Sequence, residues 1–378
     1  MLDPAASRLE LKALTSLRGI AAIAVVLQHF SATASRHAAG WIPSLVPHGY
    51  MAVDFFFVLS GFIMSYTYLA GFEALGMRAY GPFLWKRVAR IFPLGIFVTA
   101  VILVAGAVAS LWVDPALFIN WKVLNGRLGL AILINVLHVQ GFFNDYNLND
   151  PSWSVSVELG AYLLYPALVL IMFKAPRWAT VLYTLFGVCV LVRISTIDPE
   201  LALGYRSAPY DLARCVVEFG FGMIVYGVYR TPSRWHAIGR DRLTWVTAGL
   251  CAACFLLRVD LLAAFSFPFV VLAFALNRGA PSRLLSHRLP YFLGTISFSI
   301  YLVHHMFRAP ELFLLQALHP APLEPAWALL FAALGSLSVL PFAALAYYGV
   351  EKPGRLALNG LVRKLRRNPP VPVTAASR

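Results

Sequence analysis

The chain has 378 residues, of which 60% are hydrophobic, 14% aromatic and only 13% charged, about half the charge of an ordinary soluble domain, so a water-soluble globular protein is excluded. Its 31 Lys and Arg against 17 Asp and Glu give a formal charge of +14. In so apolar a chain this excess reads as the basic loops on one side of a membrane, and no nucleic-acid partner is expected.

Taken in chain order, Asp3, Glu10 and Lys12 precede the first apolar run without a small-residue cleavage site. No removable signal peptide is therefore expected, and the first span is retained. Apolar helices are predicted over 13–31, 50–70, 92–112, 128–143, 155–173, 178–194, 208–229, 243–257, 261–277, 291–314 and 326–349. Most of these runs are long enough to cross a hydrocarbon layer of about 30 Å at about 1.5 Å per residue. The basic clusters Arg78/Lys86/Arg87/Arg90, Lys174/Arg177, Arg230/Arg234/Arg240/Arg242, Arg278/Arg283/Arg288 and the tail from Lys352 share the cytoplasmic side only if one run before residue 155 does not cross. The run 128–143 is short and interrupted by Asn135, His138 and Gln140, so it is assigned a re-entrant or interfacial place.

The expected fold is all-α: a polytopic membrane bundle of about ten spans plus one re-entrant or interfacial helix, with both termini cytoplasmic. It forms one domain over 1–362, followed by a basic, disordered cytoplasmic tail over 363–378. Cys189, Cys215, Cys251 and Cys254 all lie in apolar runs, where cysteine behaves as a small hydrophobe. The CxxC of Cys251 and Cys254 has no second pair or His cluster at zinc spacing, so no disulfide framework and no metal are expected.

Ionisable side chains inside spans cost about 2.5–3.5 kcal/mol each on insertion scales, and few are present. Arg18 and His29 lie eleven residues apart, about three turns and about 16 Å of rise, on one helix face. Two readings are open: an arginine snorkelling to the headgroups with an interfacial histidine, or an anion-binding group at one end of a site and a proton-transferring group deeper in. Glu158, about one turn into its span at a depth like that of His29, either caps its own helix with Ser154 or Ser156 nearby, or serves as the acidic partner of a histidine. Arg87 and Arg90, at i and i+3, suit a phosphate contact as well as positive-inside anchoring. Arg214 and Glu218, four apart, are placed to neutralise one another; Asp54 is one turn into the second span; His304 faces a central cavity or an interface, and His305 is assigned no role.

Seven segments in order, "LTSLRGIAAIAVVLQHF", "VDFFFVLSGFIMS", "KRVARIFPL", "SWSVSVELGAYLLYP", "RCVVEFGFGM", "SFSIYLVHH" and "YGVEKPGR", resemble the bacterial membrane-bound acyltransferase-3 family, integral-membrane O-acyltransferases. The resemblance implies transfer of an acyl group, commonly acetyl, from cytoplasmic acetyl-CoA or another acyl-CoA to a hydroxyl of a carbohydrate such as exopolysaccharide or lipopolysaccharide, or of another envelope or secreted molecule, at the bacterial inner membrane. It also implies His29 as catalytic base or acyl relay, Glu158 as its acidic partner and Arg87 and Arg90 as holders of the CoA phosphates. Arg18, Asp54, Ser154, Arg214, Glu218 and His304 are then supporting or substrate-binding residues. Membrane lipid and a hydroxyl acceptor are the implied partners.

The sequence departs from the family's pattern where Leu159 follows Glu158 in place of a second acid and where His305 and Met306 replace a proline. No hydrolase-like soluble domain is recognisable, so the membrane domain or a separate partner is expected to handle the acceptor. The competing readings are a transporter or flippase for an acyl donor, lipid or glycan, and a membrane scaffold or sensor.

Overall fold

The computed structural model describes residues 11–36, 38–40, 46, 48–111, 126–143, 146–198, 201–307 and 322–367. The described chain is almost wholly helical: α1 (Lys12–Ser35), α2 (Ala52–Leu75), α3 (Tyr80–Ala109), α4 (Leu128–Val136), α5 (Ser152–Val169), α6 (Arg177–Ser195) and α7 (Ala208–Arg230). There follow α8 (Asp241–Leu256), α9 (Asp260–Leu276), α10 (Ala280–Leu285), α11 (Arg288–Thr295), α12 (Ser297–Val303), α13 (Pro325–Ala346) and α14 (Lys352–Arg367). Among the described residues six stretches are long and apolar enough to cross a membrane, and one of them, Gly49–Ala109, holds both α2 and α3. Gly76, at φ +55°, ends α2 in a conformation that favours glycine, and the chain doubles back so that Tyr68 and Phe72 pack on Phe83. This is a multi-pass membrane bundle, as its composition predicted.

Helix directions follow from side-chain contacts. Phe57 meets Trp153 and Phe72 meets Tyr165, so α2 and α5 run parallel. Asp54 meets Arg214 and Tyr66 meets Tyr229, so α7 is parallel to both. That requires an odd number of traverses between each pair, which α3 supplies between α2 and α5, and α6 between α5 and α7. The run 128–143 is too short to cross: α4 has nine residues, about 13 Å of rise, and the chain turns at His138, φ +56°, two residues beyond its end. Asn135, His138 and Gln140, the residues that interrupt its apolar pattern, are all buried.

Two expectations require correction. The predicted span 291–314 is not one helix over the described residues: it breaks at Ile296 into α11 and α12 and continues as a tight turn over His304–Phe307. The break follows from close packing, because Gly294 sits where an added Cβ would lie 2.0 Å from the carbonyl oxygen of Thr15, holding α11 backbone-to-backbone on α1. The span drawn to end at 349 instead passes through a wide π-type turn, Tyr347–Glu351, into α14. That helix reaches Arg367, and most of the tail assigned from 363, residues 368–378, lies outside those described.

The seam between α2 and α7 rests on two glycines. A Cβ at Gly61 would lie 1.8 Å from the Phe219 carbonyl oxygen, and one at Gly222 1.9 Å from that of Val58. Small residues permit this approach between helices that gain little hydrophobic drive from lipid. Gly222→Ala is expected to cost about 1–3 kcal/mol or more by overpacking, read as a lowered melting temperature in detergent; an unchanged melt would refute backbone contact along this seam.

Candidate functional site

Three neighbouring cavities lie in file through the bundle. At the basic end is a vestibule of about 1040 Å³. Arg355 and Arg363 reach it from α14, whose positions 355, 359 and 363 share one face at i, i+4 and i+8. Trp85 donates to the Leu358 carbonyl at 3.2 Å and fixes that helix across α3. Lys86, Arg87 and Arg90 enter from α3 and Arg18 from α1.

Of these six cations only Arg90 has a carboxylate partner among the described residues, Glu351 at 2.5 Å. Glu351 is fully buried at the π-type turn and also accepts from Ser299 at 2.6 Å. Arg87 donates to the Tyr68 hydroxyl at 2.6 Å, and Arg18 lies in the field of Glu351 and Glu158 without a direct pair. A cavity walled by so many unmatched cations suits a polyanion.

Arg18, Arg87 and Arg90 also line the next, inner cavity of about 150 Å³. Here Glu158 accepts from Tyr162 at 2.7 Å and from Ser60, so its carboxylate is held by α2 and by its own helix. No side chain caps the start of α5, so the capping reading of Glu158 does not apply. Ser154 is hydrogen-bonded to the Tyr301 hydroxyl at 2.7 Å, and both residues belong to this cavity.

Tyr301 and Val53 are shared in turn with a far cavity of about 340 Å³, lined by His29, His48, Tyr50, Asp150, Trp153, Arg206 and Arg214 among others. His29 Nδ1 donates to the Val25 carbonyl at 2.9 Å, which leaves Nε2 as the basic nitrogen of the neutral ring. The His304 ring, fully buried, lies 5.1 Å from the His29 ring, and its Nδ1 donates to the Tyr301 carbonyl at 2.7 Å. The break after α11 delivers α12 and His304 to this position.

The remaining sequence-predicted residues form a buried charge cluster behind the far cavity. Arg214 Nε meets Asp54 at 3.0 Å, and the guanidinium donates to the Leu203 carbonyl. Its ion-pair partner is thus across the glycine seam rather than Glu218 on its own helix. Glu218, also buried, stands beside both charges. His29 and Glu158, expected as partners, line neighbouring cavities.

Sequence reasoning passed over Glu351, Ser60, Tyr162 and Tyr301, and gave Arg355 and Arg363 no role beyond setting topology. The i, i+4, i+8 spacing in α14 and the i, i+4 spacing of Glu158 and Tyr162 were usable signals; the Ser60–Glu158 and Arg90–Glu351 bonds cross 98 and 261 positions and leave no local trace.

Comparison with known proteins gives the same direction. Residues 11–347 match a family model described as an acyltransferase domain. The chain is 28% identical over 173 residues to acyltransferase MdmB of Streptomyces mycarofaciens, covering 44% of this chain and 41% of that protein. It is 25% identical over 175 residues to peptidoglycan O-acetyltransferase OatA of Listeria monocytogenes, covering 44% and 25% respectively. It is 30% identical over 168 residues to protein 2 in the picA locus of Rhizobium radiobacter, covering 40% and 78%. The matched stretches therefore span less than half of MdmB and of OatA. No solved structure matches. With the family model covering nearly all of the described bundle, including the whole lining of the inner and far cavities, the chain belongs to the acyltransferase-3 family.

Proposed function

We propose that this protein is an integral-membrane O-acyltransferase that moves a short acyl group, acetyl in the first instance, from a CoA thioester bound in the basic vestibule to a hydroxyl of a carbohydrate-class acceptor in the far cavity. The observation that carries this reading is the contrast between the two ends. The vestibule offers Arg18, Lys86, Arg87, Arg355 and Arg363 without carboxylate partners among the described residues, as suits a phosphate-rich donor. In the far cavity the cations are matched, Arg214 by Asp54 at 3.0 Å and Arg206 by Asp150 and Asp211 at 3.5 Å each, and Trp153 and Tyr50 supply aromatic faces. That lining suits a neutral polyhydroxylated ligand.

The chemistry requires no more than positioned protonic groups. An alcohol is a weak nucleophile until a base takes its proton. His29 is the imidazole at the reacting carbon, about 16 Å along α1 from Arg18, a span suited to the pantetheine arm of the donor. The inner cavity, about 150 Å³ beside Glu158, favours a small acyl group over a fatty chain. The basic vestibule faces the cytoplasm in this reading, with the protein in the bacterial inner membrane. The acceptor class draws on the peptidoglycan named for OatA.

The test is purified full-length protein in detergent micelles, given acetyl-CoA and chitotriose in one compartment. Acetyl ester and free CoA thiol are expected; a transporter would yield neither. Arg87→Gln removes a charge-assisted contact worth about 1.5–3 kcal/mol and is expected to raise the KM for acetyl-CoA by about tenfold or more. An unchanged KM would exclude Arg87 from the donor site.

A further inference from the structure

The far cavity holds a second histidine whose surroundings are those of an oriented base. His48 lies in the turn before α2, at φ +53° and ψ +28°, a left-handed conformation uncommon for a residue with a Cβ. Backbone departures of this kind persist only where the surroundings fix them, and they cluster at working sites. What fixes this one is Asp260, the first residue of α9, which is 95% buried by its 5% exposure.

His48 Nδ1 donates to Asp260 Oδ1 at 2.5 Å. The Tyr50 hydroxyl donates to Oδ2 at 2.5 Å, and the Leu203 main-chain N–H to the same oxygen at 3.2 Å. Three donors from two segments thus converge on one carboxylate. It fixes the imidazole's orientation and tautomer and leaves Nε2 basic, while the ring lines the same cavity as His29. A tether between two loops would not need its imidazole to line that cavity.

We infer that His48, oriented by Asp260 and Tyr50, is a second catalytic residue of the far cavity, the base that takes the acceptor's hydroxyl proton. The inference rests on the donor and acceptor assignment made above. As the acceptor O–H bond breaks, its proton passes to His48 Nε2 and its electron pair forms the new bond to the acyl carbon. The thioester carbon–sulfur bond then breaks, the sulfur leaves with that pair, and His29, protonated beforehand, returns a proton to it. Asp260 balances the charge on His48 until its proton and that lost by His29 re-equilibrate through water at the cavity mouth. No oxidant, reductant or metal is needed, and the two imidazoles divide the work of acid and base.

The test uses the detergent-purified full chain with acetyl-CoA and chitotriose. Two variants separate chemistry from folding: His48→Asn keeps a residue that tolerates the left-handed turn, and His48→Ala opens space for added imidazole. Both are expected to lower kcat by about 10²–10⁴-fold with the KM for acetyl-CoA within twofold, and free imidazole is expected to restore activity to His48→Ala but not to His48→Asn. Asp260→Asn is expected to lower kcat through loss of the correct tautomer. Retention of kcat within threefold by His48→Asn, or a loss in His48→Ala that imidazole does not relieve, overturns the assignment while leaving the acyl-transfer reading standing. A wild-type protein that forms no ester overturns both.

Discussion

His29→Ala is expected to reduce ester formation by about 10²–10⁴-fold, the usual worth of a positioned proton-transferring side chain, while acetyl-CoA binding and the melting temperature stay close to wild type. The residue is only half-buried and its Nδ1 donates to the Val25 carbonyl of its own helix, so its removal leaves no large cavity. A fall in kcat without a fall in donor affinity is the signature of a group acting at the reacting atoms. His304→Ala, which removes a ring packed 5.1 Å from His29, is expected to lower kcat less, because it acts on the imidazole's position. Full activity in His29→Ala would remove that residue from the mechanism.

Glu351→Ala is expected to destabilise the protein by about 3–5 kcal/mol, because it strands the Arg90 guanidinium that the carboxylate meets at 2.5 Å. It also leaves the Ser299 hydroxyl without its acceptor. The double variant Arg90→Met/Glu351→Leu removes both charges together and is expected to recover most of the loss. Thermal melts of Arg90→Met, Glu351→Leu and the double variant form the cycle that isolates the pair. Additive losses would show that the two residues are not coupled, and that Arg90 is instead available to the vestibule.

Much of this was legible along the chain. Helical spacing alone put Arg18 and His29 on one face about 16 Å apart, and they do occupy the near and far cavities. The polar interruptions at Asn135, His138 and Gln140 marked the run that adds no traverse, because side chains of that kind in an apolar segment must find protein partners. Asn135 finds the carbonyls of Ala131 and Tyr146.

Other features had no local signal. Glu158 and His29 sit at similar sequence depths in their spans, yet lateral placement in a bundle depends on how helices cross, which spacing does not encode. Arg214 faces Asp54 because two glycines 161 positions apart bring their helices into contact. The break at Ile296 depends on Gly294 meeting the backbone of α1. Glu351 escaped notice because an ordinary span length ends two residues before it, and only the π-type turn carries it into the bundle.

The glycine seam also bears on what the inner cavity can accommodate. Ser60, which bonds Glu158, is the residue next to Gly61, so one wall of that cavity is backed by main chain pressed on main chain. Side chains can change rotamer to admit a larger guest, but two helix backbones in contact cannot. In the proposed reaction, room for a longer acyl group would come from lining side chains off the seam helices, such as Phe298 and Ile91, where trimming a side chain enlarges the space without prising helices apart. The seam itself is the part of the wall that side-chain trimming leaves unchanged.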